Sequence, residues 1–157
     1  MDTQTAALNV AEFVRDHGRW PAACAPTANT TEASLARRME ALRRRRLDKR
    51  TAAFLTEQVP GWKNRALVRW HQRAQDTATH LVVAGEWPSQ SSYDPAESRL
   101  GSWLSEQRVI AADRDRLGRI HTPAQEAFLH AVAPGWQHTV DFEHTFRSRV
   151  GLVVEFV

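Results

Sequence analysis

Apolar residues along this chain recur at intervals of three and four, the spacing that puts them on one side of a helix. From Thr5 to His17 the residues Ala6, Val10, Phe13, Val14 and His17 share a face, and Gly18 follows as a C-cap. A loop rich in Pro and Ala leads to Asn29, with Glu32 three residues on in the capping-box arrangement. The helix that follows carries Leu35, Met39 and Leu42 inward. At about 100° per residue, Arg37 and Arg44 fall opposite Leu35, whereas Arg46 returns to the apolar side, so this helix is expected to stop before Arg46. Asp48 caps a third helix with Ala52, Leu55 and Val59 inward and Phe54 on its flank, ended by Pro60-Gly61. After Trp62 a long helix is expected from about Lys63 to Ala84. Leu67, Trp70, Ala74, Ala78 and Leu81 form its stripe, and Arg65, Arg69 and Arg73 lie on the face away from it.

After Ala84 the pattern starts again. Gly18-Arg19-Trp20-Pro21 returns as Gly85-Glu86-Trp87-Pro88. Asn29 and Glu32 return as Asp94 and Glu97, now with Pro95 at the first helical position. Leu35, Met39 and Arg43 return as Leu100, Leu104 and Arg108. Asp48, Phe54, Leu55 and the Pro-Gly-Trp of 60–62 return as Thr122, Phe128, Leu129 and the Pro-Gly-Trp of 134–136. Phe142, Phe146 and Val150 then space a last helix. These spacings predict an all-α protein of two tandem three-helix modules, residues 1–62 and 85–136. They are joined by a long helix over 63–84, shared as the first helix of the second module, and followed by a C-terminal helix over 137–157.

Charge sharpens this picture. Residues 1–75 hold 14 basic and 7 acidic side chains, and residues 76–157 hold 7 basic and 11 acidic ones, an asymmetry that points to one polyanion-binding half. Its centre is the stretch Arg37 to Arg50, in which eight of fourteen residues are Arg or Lys. Clustered guanidinium groups repel one another unless water, acids or a polyanion lies opposite, and Arg suits bidentate phosphate contact. The residues expected to contact nucleic acid are Arg37, Arg43, Arg44, Arg45, Arg46, Lys49 and Arg50, extended by Arg65, Arg69 and Arg73. Lys49 and Arg50, at the start of the third helix, are best placed for base edges if that helix enters a major groove.

The repeat resembles the helicase-associated domain, a three-helix module found in tandem behind helicase-like motors. The resemblance is carried in the second copy by Gly85, Pro88, Trp103, Gln107-Arg108, Gly118, Ile120 and Trp136, and in the first by His17-Gly18, Pro21 and Trp62. The first copy departs from the pattern: Arg38 stands where the second has Trp103, and the turn before the third helix is shortened to the arginine run. The resemblance implies a nucleic-acid-binding accessory module.

Other chemistries find little support. No Gly-x4-Gly-Lys-Ser/Thr loop is present to hold a nucleotide phosphate, and no Gly-x-Ser-x-Gly elbow occurs. Cys24 has no neighbouring base, and neither His17 with Cys24 nor His138 with His144 offers zinc spacing, so no enzyme activity, metal or cofactor is expected. Trp62, Trp87, Trp103 and Trp136 sit at apolar repeat positions and are expected in the core, while Trp20 is open to either packing or base stacking. Asp113 to Arg116 alternate in sign and read as a solvated loop. The single Cys, the absence of a secretion signal and the lack of a long apolar run lead us to expect a cytoplasmic protein with no membrane partner. The expectation is therefore a non-enzymatic protein binding DNA through its basic half. The alternative is an interaction adaptor or mobile-element regulator that docks an acidic partner there and a second partner through its acidic half.

Overall fold

A computed structural model describes residues 2–24, 29–112 and 118–138. These residues form six α-helices and no strand. The helices are α1 (Thr3–His17), α2 (Thr30–Arg44), α3 (Lys49–Gln58), α4 (Arg65–Ala84), α5 (Pro95–Ala112) and α6 (Pro123–Val132). None is long and apolar enough to cross a membrane. The loop of alternating charge at 113–117 and the expected C-terminal helix beyond His138 lie outside the described residues.

Local signals set most of the boundaries. Asn29, Asp48, Asn64 and Thr122 each accept a hydrogen bond from the third residue of the helix they precede. Gly18 and Gly85 close α1 and α4 in the left-handed conformation, donating to the carbonyls of Val14 and Leu81. Arg45 is the extended C-cap of α2, so the helix ends before Arg46 as the wheel requires. At Thr122 the Gln125 side chain also reaches back to the cap, completing a capping box. The Asn29–Glu32 pair is half of one: Asn29 accepts from the Glu32 amide, but the Glu32 carboxylate turns instead to the Ala22 amide at 2.9 Å.

Helix α1 packs against α2 and α3, and α4 against α5 and α6. Val10, Leu35, Met39, Leu42, Leu55, Val59 and Trp62 are buried in the first group, and Trp103, Leu104, Phe128, Leu129 and Trp136 in the second. Details recur between them. The Ala22 and Ser89 amides, each two residues after a Trp, donate to Glu32 and Glu97 respectively. Beyond α3 and α6, Gly61 and Gly135 take positive φ, and Trp62 and Trp136 follow them into the core. The groups meet through aromatic rings: His71 of α4 stacks on Trp20 at 3.9 Å and meets the Phe128 ring edge-on at 4.5 Å. Trp20 is thus a packing residue, buried between the two groups.

Candidate nucleic-acid interface

The ten basic residues singled out in the sequence divide into nine that are exposed and one that is not. Arg37, Arg44, Arg45, Arg46, Lys49, Arg50, Arg65, Arg69 and Arg73 all reach solvent. Arg43 turns inward: its side chain is 15% exposed, its Nε donates to the Trp62 carbonyl at 2.6 Å, and its guanidinium lies over the Trp20 ring at 4.7 Å. Helical phase explains the difference, because Arg43 stands one turn after the buried Met39, whereas Arg44 is rotated about 100° away. Burial lowers the proton affinity of the Arg43 guanidinium, with Glu40 at 3.3 Å opposing that shift. Arg43 is therefore removed from the set of expected phosphate contacts.

Of the nine exposed cations only Arg44 is neutralised by a described carboxylate, Glu40 at 2.9 Å. The other eight form no ion pair with any described carboxylate. Arg37 and Arg44 flank a cleft of about 310 Å³ between α2 and α4, whose far wall includes Val68, His71 and Gln72. Gln72 neighbours Arg69 one turn back on the α4 surface, so the arginine row of α4 passes beside the rim of this cleft. Arg69 and Arg73 continue around α4 into a second concavity of about 620 Å³, bounded by α5 and by residues 118–121. Lys49 and Arg50 begin α3. Arg50 borders a third groove with Gln4 and Leu8 of α1, and its position at a helix start leaves it free to point outward.

Three buried polar groups shape these surfaces, and the sequence pattern did not predict their partners. Arg19 and Glu32 form an ion pair at 2.6 Å, with side chains 11% and 8% exposed. Burial acts to raise the Glu32 pKa, but the hydrogen bonds from Arg19 and the Ala22 amide, with the Arg19 charge, bring it below the ordinary carboxylate value. His71 is pushed down to about 4, first by burial and then by the Arg43 charge, against the raising effect of its bond to the Leu67 carbonyl. It stands one turn after Leu67 and three residues before Ala74, so its stripe position was visible in the sequence. Gln107 accepts from the Trp70 indole at 3.0 Å and bonds His121 at 2.8 Å, joining α4, α5 and the loop before α6.

Among the described residues no cluster of three or more His, Cys, Asp or Glu side chains is arranged to hold a metal. No family model, curated protein or solved structure matches this chain.

Proposed function

We propose that this chain is a non-enzymatic nucleic-acid-binding protein that grips double-stranded DNA through α2, the turn after it, the start of α3 and the outer face of α4. The observation that carries this reading is the set of eight exposed cations that no described carboxylate neutralises: Arg37, Arg45, Arg46, Lys49, Arg50, Arg65, Arg69 and Arg73. Water alone can screen such exposed charges, but a polyanion lying along the helix end and its turn relieves their mutual repulsion far more strongly, which is what favours this reading. Ion-pair networks within the fold, the ordinary alternative use of such a run, account here only for Arg43 and Arg44.

The reading extends to ancestry. The matched loop-to-glutamate bonds, glycine caps and buried Trp residues of the two groups support two tandem copies of one three-helix unit, and Gly18, Gly85, Trp62 and Trp136 among them belong to the motifs that resemble the helicase-associated domain. In this reading the copies have diverged in task. The first copy shortens the turn before its third helix to the arginine run, which together with the outer face of α4 carries the grip.

The test is a titration of labelled duplex DNA at several salt concentrations, followed by fluorescence anisotropy. If about six cations engage phosphates, log affinity falls against log salt with a slope of roughly −5. A flat salt dependence, or no binding at low salt, overturns the proposal.

A further inference from the structure

We infer that the concavity between α4, α5 and the loop before α6 is a site for one unpaired nucleotide, so that the protein prefers DNA in which a duplex runs into a single strand. This inference rests on the DNA-binding reading above and adds a second, chemically different contact to it.

The lining of the site differs from that of the arginine run. Arg69 and Arg73 reach it from successive turns of α4, and Arg119 reaches it from the opposite wall. Arg119 is held by Glu106 at 2.6 Å in an exposed pair, which leaves Arg69 and Arg73 as the cations here that no described carboxylate neutralises. Arg73 also borders the neighbouring groove that contains Arg99, so positive charge continues past the rim in the direction a strand would leave. The walls carry an apolar surface that phosphate alone would not need: Ile120 is 65% exposed, and Trp103 lines the same space. One exposed isoleucine is ordinary in itself, but here it gives the cationic recess an apolar face, which suits a ligand that is anionic at one end and apolar at the other.

Gln107 supplies the specific polar group. It is 3% exposed, and its carbonyl oxygen is held by Trp70 and His121. Those two bonds fix the amide plane, and its nitrogen has no hydrogen-bond partner among the described residues while the residue lines the concavity. A fixed, unpartnered N–H donor on the wall of a recess matches the carbonyl or ring nitrogen of a base edge. The volume of about 620 Å³ lies in the range typical of small-molecule sites, about 300–1,000 Å³. A base stacked inside a duplex cannot enter a recess of this shape, whereas an unpaired one can turn out of the strand.

The experiment compares one duplex with blunt ends against the same duplex carrying a five-nucleotide single-stranded extension, each bound to the full chain and read by anisotropy. The wild-type protein is expected to favour the extended duplex by about tenfold, within the range measured for one base contact. Both I120E and I120K are expected to bring the ratio of the two affinities to about one, because each removes the apolar wall whatever its charge. If the two variants shift the ratio in opposite directions, the effect is electrostatic and the site is overturned. A wild-type ratio of one with tight, salt-dependent duplex binding also overturns the site and leaves the duplex reading standing. Binding to neither DNA overturns both.

Discussion

The side chain of Arg43 donates from Nε to the backbone oxygen of Trp62 at 2.6 Å, and Arg108 does the same to Trp136 at 2.6 Å. Each guanidinium also covers a second indole, Trp20 at 4.7 Å and Trp87 at 5.4 Å. Burial lowers the proton affinity of both arginines. One planar cation thereby ties the end of a second helix, the turn after a third and the loop before them. Arg43→Ala leaves the Trp62 carbonyl without its donor, costing about 1–3 kcal/mol, and removes a cation–π contact of about 0.5–2 kcal/mol. The expected outcome is a melting temperature lower by on the order of 10 °C in a circular dichroism melt. Arg43→Lys should recover little, since an ammonium cannot both reach the carbonyl and lie flat on the ring. An R43A protein that melts with the wild type contradicts this role.

His71 makes stability depend on pH. Its pKa falls from 6.5 to about 4 on folding, so between those values the unfolded chain binds more protons than the folded one. Stability is therefore complete above pH 6.5, declines as the pH falls toward 4, and loses nothing further to this group below that. The span corresponds to about 3 kcal/mol. His71→Phe keeps a ring between Trp20 and Phe128 and should flatten the decline, as read from urea midpoints across that pH window. Glu32 acts at the acid end. Its folded pKa is depressed, so its contribution is present above 4.5 and is lost on further acidification; Glu32→Gln should therefore lower stability above 4.5, leaving Arg19 without its carboxylate, and flatten the decline below it.

The helices were legible because their signals are local. Leu35, Met39 and Leu42 set the face of α2, Asn29 and Asp48 set two starts, and Gly18 and Gly85 set two ends, each within a turn or two of chain. The inward turn of Arg43 was harder to see, since four adjacent arginines look alike in sequence and only phase separates them. The clue was its position one turn after Met39, repeated as Arg108 one turn after Leu104. The partner of Glu32 was not legible from the cap alone. The bond to Ala22 spans ten residues of loop and depends on where α1 delivers Trp20. The network of Trp70, Gln107 and His121 joins three separate elements, and nothing in the spacing of any one of them announces it.

Exposed and buried arginines should respond differently to mutation. Arg45 and Arg46 are solvent-facing and form no ion pair with a described carboxylate, so Arg45→Ala with Arg46→Ala should change stability by no more than about 0.5 kcal/mol. In the proposed DNA complex the same pair of substitutions should make the salt slope shallower by about 0.9 for each phosphate the protein no longer neutralises. Thermal melts and salt titrations of one double variant check both halves. Unchanged binding would move the grip away from the turn after α2.

Gly101 and Ala36 occupy matching positions on α5 and α2, and their surroundings make opposite demands. A methyl group at Gly101 would run into the backbone of Ser89 and Gln90. That loop cannot retreat easily, because the Ser89 amide is bound to Glu97 at 3.1 Å and the Gln90 carbonyl to the Ser98 hydroxyl at 2.8 Å. Gly101→Ala would gain about 1 kcal/mol of helix propensity, yet forcing a backbone segment aside typically costs about 1–3 kcal/mol or more. A net loss is expected, seen as a lower urea midpoint with an unchanged denaturant slope. At Ala36 the side chain instead lines the open cleft between α2 and α4. Ala36→Gly should cost about 0.5–1 kcal/mol through chain entropy alone. Two exchanges of the same two residue types, in opposite directions, should therefore both destabilise the fold, and a stabilised G101A protein would mean that the loop at Ser89 yields more readily than its hydrogen bonds imply.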